Sequence, residues 1–453
     1  MIEHLKSDKK ILIIGAGLCG SLLAVRLGAL GFNVVLVEKR SDLRTVEVGA
    51  GLSINLALSD RGLKALRLVG LEEKVREFCI PMRGRMIHGL TGEPWFSSYS
   101  GRSDEYINSV SRTDLNTMLI EAADVHENVE IVFDALCVDV NIDASTADFK
   151  LKDGTDLHID ADIIIGTDGA GSKVRKEIFE KRSDENLSIE FLEHGYKELE
   201  IPAGANGEYL LEKNALHIWP RGSYMIIALP NMDGSFTVTM FNAYKGPQSF
   251  EEIDKGDGFR SYIQNHFPDL MAYIDELTVS YKENPVGKLG TIKCFPWQDE
   301  GKTLIMGDAA HAIVPFYGQG MNAAFEDVTV FSHVLDQDHE NWESVFTSFQ
   351  EQRHPSAVAI ADLAVDNFYE MRDHVSDPVF IKKRKLEMQM EQEFPEYYSK
   401  YSMVTFNANI PYQVAKENGR KQDEFLMNLC KDREIEDIDK KEVLVSLDKI
   451  LNS

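Results

Sequence analysis

The apolar positions predict strand–helix–strand units at the start of the chain, alternating strands in its middle and helices alone at its end. Lys10 to Ile14 reads as an apolar strand, and Leu22, Leu23, Leu27 and Leu30 then follow at helical spacing until Gly31. A second run, Val34 to Val37, finishes in Glu38. A third, Ala161 to Gly166, leads into Thr167-Asp168-Gly169-Ala170-Gly171-Ser172-Lys173-Val174-Arg175. Residues Ile189 to Leu199, Leu216 to Trp219, Tyr224 to Leu229 and Ser235 to Phe241 have strand patterning and predict an antiparallel sheet that interrupts the first domain. Pro247 to Glu283 is more polar and helical, and Lys288 to Phe295 leads back toward the first domain. Thr303 to Met306 reads as a short strand and Met321 to Leu335 as a helix. Beyond about Asn341 strand signals vanish, leaving charged helices expected to break near Pro355, Pro378, Pro395 and Pro411.

Three glycine-bearing turns punctuate these elements. Gly15-Ala16-Gly17-Leu18-Cys19-Gly20 follows the first strand, and Glu38 lies 18 residues beyond Gly20, which completes a βαβ dinucleotide fingerprint. Gly15 permits the tight turn, Gly17 lets backbone meet a pyrophosphate, and Gly20 lets helix and strand pack closely. Glu38 would accept bonds from ribose hydroxyls, which favours FAD or NAD over NADP at this position. Taken alone, Thr167 to Arg175 suits a plain strand-to-helix loop with Ser172 near the cap. The stretch GDAAHAIVPFYGQGMNAAFED, Gly307 to Asp327, joins a strand end, a proline-glycine loop and a helix start. Asp308 at its turn can accept from sugar hydroxyls, and the helix near Met321 would aim N–H groups and a positive dipole end at a planar, anionic ligand edge.

The 453 residues suffice for two or three domains, and their composition is that of a globular protein. With 48 Lys+Arg against 74 Asp+Glu the formal charge is −26, which argues against a general binder of nucleic acid or anionic membrane. Cys19, Cys79, Cys137, Cys294 and Cys430 form no C-x-x-C pair, so a reduced, cytoplasmic setting is expected and thiolate metal binding is not. No apolar run reaches the roughly 18 residues that span a bilayer. The basic string Lys382-Lys383-Arg384-Lys385 reads as a solvated helix face.

The order GAGLCG with Glu38, Arg112-Thr113-Asp114-Leu115, TDGAGS and GDAAH resembles the single-component flavin-dependent aromatic hydroxylases, which hold one FAD and use NAD(P)H. SINLALSDRG, PMRGRMIH, PFYGQGMNAAFED, HGYKEL, NALHIWPRG and YSMVTF narrow the resemblance to one branch, whose aromatic substrate carries a carboxylate, an ammonium group and an aniline ring. The resemblance implies an α/β chain with a Rossmann-like FAD-binding domain in three parts (1–75, 101–183 and 287–340). Substrate-side segments at 76–100 and 184–286, the latter mostly antiparallel sheet, would interrupt it, and 341–453 would be a C-terminal helical cap.

Carried over residue by residue, it places Cys19, Glu38, Lys39, Arg40 and Ala57, with Arg112 and Leu136 beside them, around the FAD adenosine and neighbouring loops. Asp308 would meet the ribityl and pyrophosphate region, and Met321 and Asn322 would offer backbone contacts to the flavin ring. Arg85, Tyr99, Asn367 and Tyr401 would hold the substrate carboxylate. Apolar walls would come from Ile107, Leu216, Met225, Ile227, Phe241, Pro315 and Phe316, each of which suits ordinary core packing equally well. Glu370 suits either the pocket's polar network or a solvated helix position, His311 reads as structural, and Tyr317 as pocket lining.

No side chain needs to act as catalyst, since the flavin carries the chemistry. NADPH would reduce FAD, and O2 would add at C4a to give the hydroperoxide that the aromatic ring attacks. Small molecules are thus the expected partners, with no nucleic acid, no membrane span and no metal, and a homodimer is left open. Gly51-Leu52 stands where relatives commonly have Gly-Arg, so one positive charge is absent there. The alternatives are a hydroxylase of another aromatic acid, a flavin-binding module without catalysis, or an NAD-binding dehydrogenase.

Overall fold

A parallel sheet organises the nucleotide-binding half of the molecule. The computed structural model describes residues 8–45, 55–182, 186–373 and 377–452; Gly51, Leu52, Ser53 and Ile54 of the motifs above lie outside them. The strands run in the order Gln298–Asp299, Thr303–Ile305, Ile163–Gly166, Lys10–Ile14, Asn33–Val37 and Val129–Val132. All neighbours pair in parallel except Gln298–Asp299 at one edge. Ile11, Leu12, Ile13, Ile163, Ile164 and Ile165 are buried, which explains why these strands read as unbroken apolar runs. Ile14 pairs with both Val37 and Gly166, and Gly166 with Ile305, so these strands end level. The turns after them therefore open at one edge, where ligands of open α/β sheets bind.

The second layer is a seven-stranded sheet: Gly287–Cys294, Leu187–Ile201, Phe236–Ala243, Met225–Pro230, Leu216–Pro220, Gly84–Ile87 and Trp95–Ser98. It is antiparallel except where Leu216–Pro220 meets Gly84–Ile87. The period of two divides its faces. Trp219, Ile226, Ala228, Val238 and Met240 pack in one core with Ile263 and Leu277 of the helices Gly258–His266 and Ile274–Glu283. Leu216, Met225, Ile227 and Phe241 face the other way, toward the nucleotide half. Gly287–Cys294 pairs along Leu187–Ile201, so this strand extends the antiparallel sheet and the chain rejoins the parallel one only at Gln298–Asp299.

The C-terminal region is helical, with one departure from the expected breaks. Trp342–Asp373 runs straight through Pro355. An interior proline costs about 3 kcal/mol or more, but both sides are held: Phe346 and Phe349 before it, and Ala357, Ile360 and Ala361 after it, are at most 1% exposed. Pro378 opens the helix Pro378–Glu393 behind an Asp377 cap, Pro395 follows that helix, and Pro411 precedes Tyr412–Asp432. Among the described residues no helix is long and apolar enough to cross a membrane, and no His/Cys/Asp/Glu group could hold a metal ion.

The basic string departs from the solvated-face reading as well. Lys383 is 3% exposed and ion-paired to Glu387 and Asp423, and Arg384 pairs with Glu387 and donates to the Tyr99 carbonyl. Lys385 alone of the four is exposed. A buried cation requires a partner, and these partners come from the helix's own next turn and from distant segments, which a run of like charges does not reveal.

Candidate active site

Backbone geometry at the level strand ends makes the phosphate turn. Gly15 has φ 105°, and a Cβ there would stand 2.6 Å from the Thr167 carbonyl oxygen. A Cβ on Gly20 would stand 2.0 Å from the Gly15 carbonyl oxygen, whereas one on Gly17 would meet nothing within 4 Å. The first two glycines are thus demanded by packing and the third keeps a surface open. Helix Leu18–Leu30 starts there with no side-chain cap, which leaves its first-turn N–H groups for a ligand. Glu38, 6% exposed, accepts from Ala16 N at 2.9 Å through Oε2 and from Arg40 N and Nε at 3.0 and 2.8 Å through Oε1. Its carboxylate is therefore pinned beside the turn.

The Asp308 turn is braced from behind. Gly307 takes φ 59°, and its N–H donates to Asp327 Oδ2 at 2.8 Å. His311 Nε2 lies 2.6 Å from that same oxygen, and Arg353 Nε donates to Oδ1 at 2.9 Å. Burial pushes the Asp327 carboxyl up, yet the His311 and Arg353 charges outweigh it and hold the group below its usual range. His311 accordingly braces the loop. An Asp327→Asn variant is expected to weaken FAD retention by about tenfold, read by flavin release during dialysis, because a buried charged bond is worth about 1.5–3 kcal/mol.

Ahead of helix Gly320–Gln337, Pro315–Tyr317 forms a short 3-10 turn ending at Gly318, φ 66°. Asn322 is fully occupied in clamping this loop: Nδ2 donates to the Ala57 and Gly318 carbonyls at 2.8 and 3.0 Å, and Oδ1 accepts from Ser59 N at 2.9 Å. Its side chain shapes the loop, which leaves only backbone to meet a ligand. No side chain caps the helix here either.

One cavity of about 1540 Å³ joins these turns to the antiparallel sheet. Gly15, Gly17, Cys19, Glu38, Lys39, Arg40, Ala57, Arg112, Leu136, Asp308 and Met321 line it on the nucleotide side. Arg85, Tyr99, Tyr401, Ile107, Leu216, Met225, Ile227, Phe241, Pro315 and Phe316 line the other end. Gly20, Asn322 and Asn367 stand behind the lining. Asn367, 7% exposed, donates from Nδ2 to the Phe316 carbonyl at 2.7 Å and so fixes a wall residue.

At the far end the Arg85 guanidinium lies 5.2 and 5.1 Å from the ring centres of Tyr99 and Tyr401, which stack on each other at 5.6 Å; Tyr317 stacks on Tyr401 at 5.7 Å. Among the described residues no carboxylate pairs with Arg85. The Tyr99 hydroxyl is buried with no hydrogen-bond partner. Burial first, then Tyr401, pushes its pKa up against the pull of Arg85, so it stays a neutral donor. A half-buried cation without a counter-ion beside an unsatisfied hydroxyl describes a seat for a carboxylate.

Two supports of this seat, Arg384 and Glu391, were passed over by sequence reasoning. Arg384 fastens the Tyr99 carbonyl, while Glu391 accepts from Gly101 N at 2.9 Å and from Ser399 N at 3.1 Å, two residues before Tyr401. Glu370 pairs with Lys400 at 3.0 Å, which places it in the polar network around Tyr401. The available signal was Lys383 and Arg384 standing four and three residues before Glu387, a spacing that neutralises charge on one helix face.

Residues 8–364 match the FAD binding domain family. The chain is 44% identical over 428 residues to the kynurenine 3-monooxygenase of Myxococcus xanthus, covering 92% of this chain and 90% of that one. It is 42% identical over 448 residues to that of Dictyostelium discoideum, covering 95% and 96%. Among solved structures, tetrameric 2-methyl-3-hydroxypyridine-5-carboxylic acid oxygenase aligns with TM-score 0.65 at 21% identity, covering 83% of this chain and 96% of that one. Pseudomonas aeruginosa PqsL with 2-aminobenzoylacetate aligns with TM-score 0.64 at 19% identity, covering 81% and 97%. At these identities the two structures speak for the fold.

Proposed function

The chain belongs to the kynurenine 3-monooxygenase family of FAD-dependent hydroxylases, and from that premise we propose that it converts L-kynurenine to 3-hydroxy-L-kynurenine with NADPH and O2. The observation that carries the reading is Arg85, a cation in an aromatic cage with no carboxylate partner among the described residues. Kynurenine's carboxylate supplies the missing charge, and the Tyr99 hydroxyl gains the partner it lacks. The apolar wall of Leu216, Met225, Phe241 and Phe316 suits the aniline ring and keeps water from it.

The nucleotide side fits FAD on its own geometry: an open Gly17 for the pyrophosphate, a pinned Glu38 for ribose, and Asp308 at a braced turn for the ribityl chain. FAD, when bound, supplies the two-electron exchange with NADPH and the activation of O2. This chain's residues bind and orient the two molecules and dry the space between them. The uncapped start of Gly320–Gln337 favours negative charge on the ring edge it faces by about 0.3–2 kcal/mol. Five free cysteines suit a reducing, cytoplasmic compartment.

The test is isotopic. Turnover of L-kynurenine by the FAD-loaded protein under heavy-labelled O2 is expected to give a product with one labelled oxygen. Label arriving from water, or no hydroxylated product, would contradict the reading; hydroxylation of a different aromatic acid in its place would support the rival substrate.

A further inference from the structure

The lining of the cavity continues past the nucleotide turns to a further group of residues, an outer lobe. Ile189 and Phe191, alternate residues of Leu187–Ile201 and hence on one sheet face, line that lobe while 44% and 60% exposed. Gly290 pairs with Phe191, and a Cβ there would stand 2.9 Å from the phenyl ring, so its lack of a side chain lets the ring lie along the sheet. Lys288 Nζ sits 5.6 Å from the ring centre of Phe191 and, among the described residues, has no carboxylate partner. Lys176, from the helix Lys173–Arg182, lines the lobe as well, held to Glu180 at 3.3 Å with both side chains more than half exposed.

In a chain of net charge −26, an exposed aromatic shelf beside an unpaired lysine needs an explanation. The ligand must be planar in part, anionic in part, and able to reach the flavin from outside. NADPH is all three, and it lacks a place elsewhere: the sequence has one complete dinucleotide fingerprint, and Glu38 there repels a 2′-phosphate.

We propose that this outer lobe is the docking site of NADPH, with one ring of the dinucleotide on Phe191 and Ile189 and its phosphates against Lys288 and Lys176. The proposal rests on the functional reading above. Lys288 is accessible without rearrangement, while Lys176 must exchange Glu180 for phosphate. A site built on a surface shelf binds transiently, so that NADPH gives up two electrons and one proton as hydride and NADP+ leaves through the same opening.

Binding of NADP+ to the FAD-loaded protein, followed by calorimetry without turnover, separates this from the alternatives. Phe191→Ala and Lys288→Glu are each expected to raise the NADP+ Kd about tenfold, and Lys176→Glu with Lys288→Glu further, with a shallower salt dependence. FAD content and the affinity for L-kynurenine should stay at wild-type values in all of them. Lys288→Gln keeps the test independent of any folding defect from charge reversal. Unchanged NADP+ affinity in Phe191→Ala and Lys288→Gln would overturn the site while leaving the functional reading intact. A wild-type holoenzyme that neither binds NADP+ nor is reduced by NADPH would overturn both.

Discussion

Gly20→Val is expected to yield a folded but colourless protein, with FAD affinity reduced by about 100-fold or more, equivalent to about 2.7 kcal/mol. Even a single added carbon would stand 2.0 Å from the Gly15 carbonyl oxygen and 2.4 Å from Thr167 Oγ1. Neither neighbour can yield cheaply. Gly15 is itself confined by the Thr167 carbonyl, and Thr167 Oγ1 donates to the Gly15 carbonyl at 2.7 Å. The helix must therefore shift away from the strand, which moves its first-turn N–H groups from the pyrophosphate they are placed to meet; overpacking of this kind costs about 1–3 kcal/mol in stability alone. Gly17→Ala makes the informative control, since its Cβ meets no protein atom and would act only through the ligand. Flavin absorbance of the purified variants, with circular dichroism to confirm the fold, decides the matter. A yellow Gly20→Val protein would show that the turn does not hold the cofactor.

Arg85→Met is expected to raise the KM for L-kynurenine by about 100-fold while changing kcat much less. Removing one partner of a desolvated charge pair costs about 2–5 kcal/mol, and the variant keeps the aliphatic bulk that fills the space beside Tyr99 and Tyr401. The division between KM and kcat matters. Arg85 lies among the phenol rings at one end of the cavity, so on the proposed reading its loss weakens grip on the substrate in ground and transition states alike. Tyr99→Phe should do less, about tenfold, because it removes one neutral hydrogen-bond donor. Equal KM values for wild type and Arg85→Met would place the carboxylate elsewhere.

What the sequence made legible was decided by short-range physics. The fingerprint from Lys10 to Glu38 was readable because Gly15 and Gly31 take positive φ at turns and Gly20 meets the Gly15 carbonyl five residues before it, and the strands between them are buried on both faces. The antiparallel strands could be read for a like reason: Met225, Ile227 and Leu229 alternate with Ile226 and Ala228 toward opposite cores. The substrate end was legible only through family resemblance, since nothing in PMRGRMIH itself says that Arg85 lacks an acidic partner. The supports were legible only in the spacing of Lys383 and Arg384 to Glu387; their partners across the fold were not. Arg384 meets the Tyr99 carbonyl 285 residues away, and Lys383 meets Asp423 across 40 residues. Pro355 misled for a related reason, because its local penalty is offset by tertiary burial on either side. Asn322 and Asn367 show a subtler limit: the resemblance implies a backbone contact for Asn322 and a place at the substrate carboxylate for Asn367, but it does not reveal that their side chains bond to the loop and wall of the cavity.

The assignment of L-kynurenine as substrate is tested most directly by the rate of NADPH oxidation by the FAD-loaded chain. Followed with and without L-kynurenine, and against a panel of other aromatic acids and amino acids, the rate is expected to rise strongly with L-kynurenine, in step with formation of a product heavier by one oxygen atom. An equal rate with and without L-kynurenine, or a faster one with a different aromatic acid, would contradict the account.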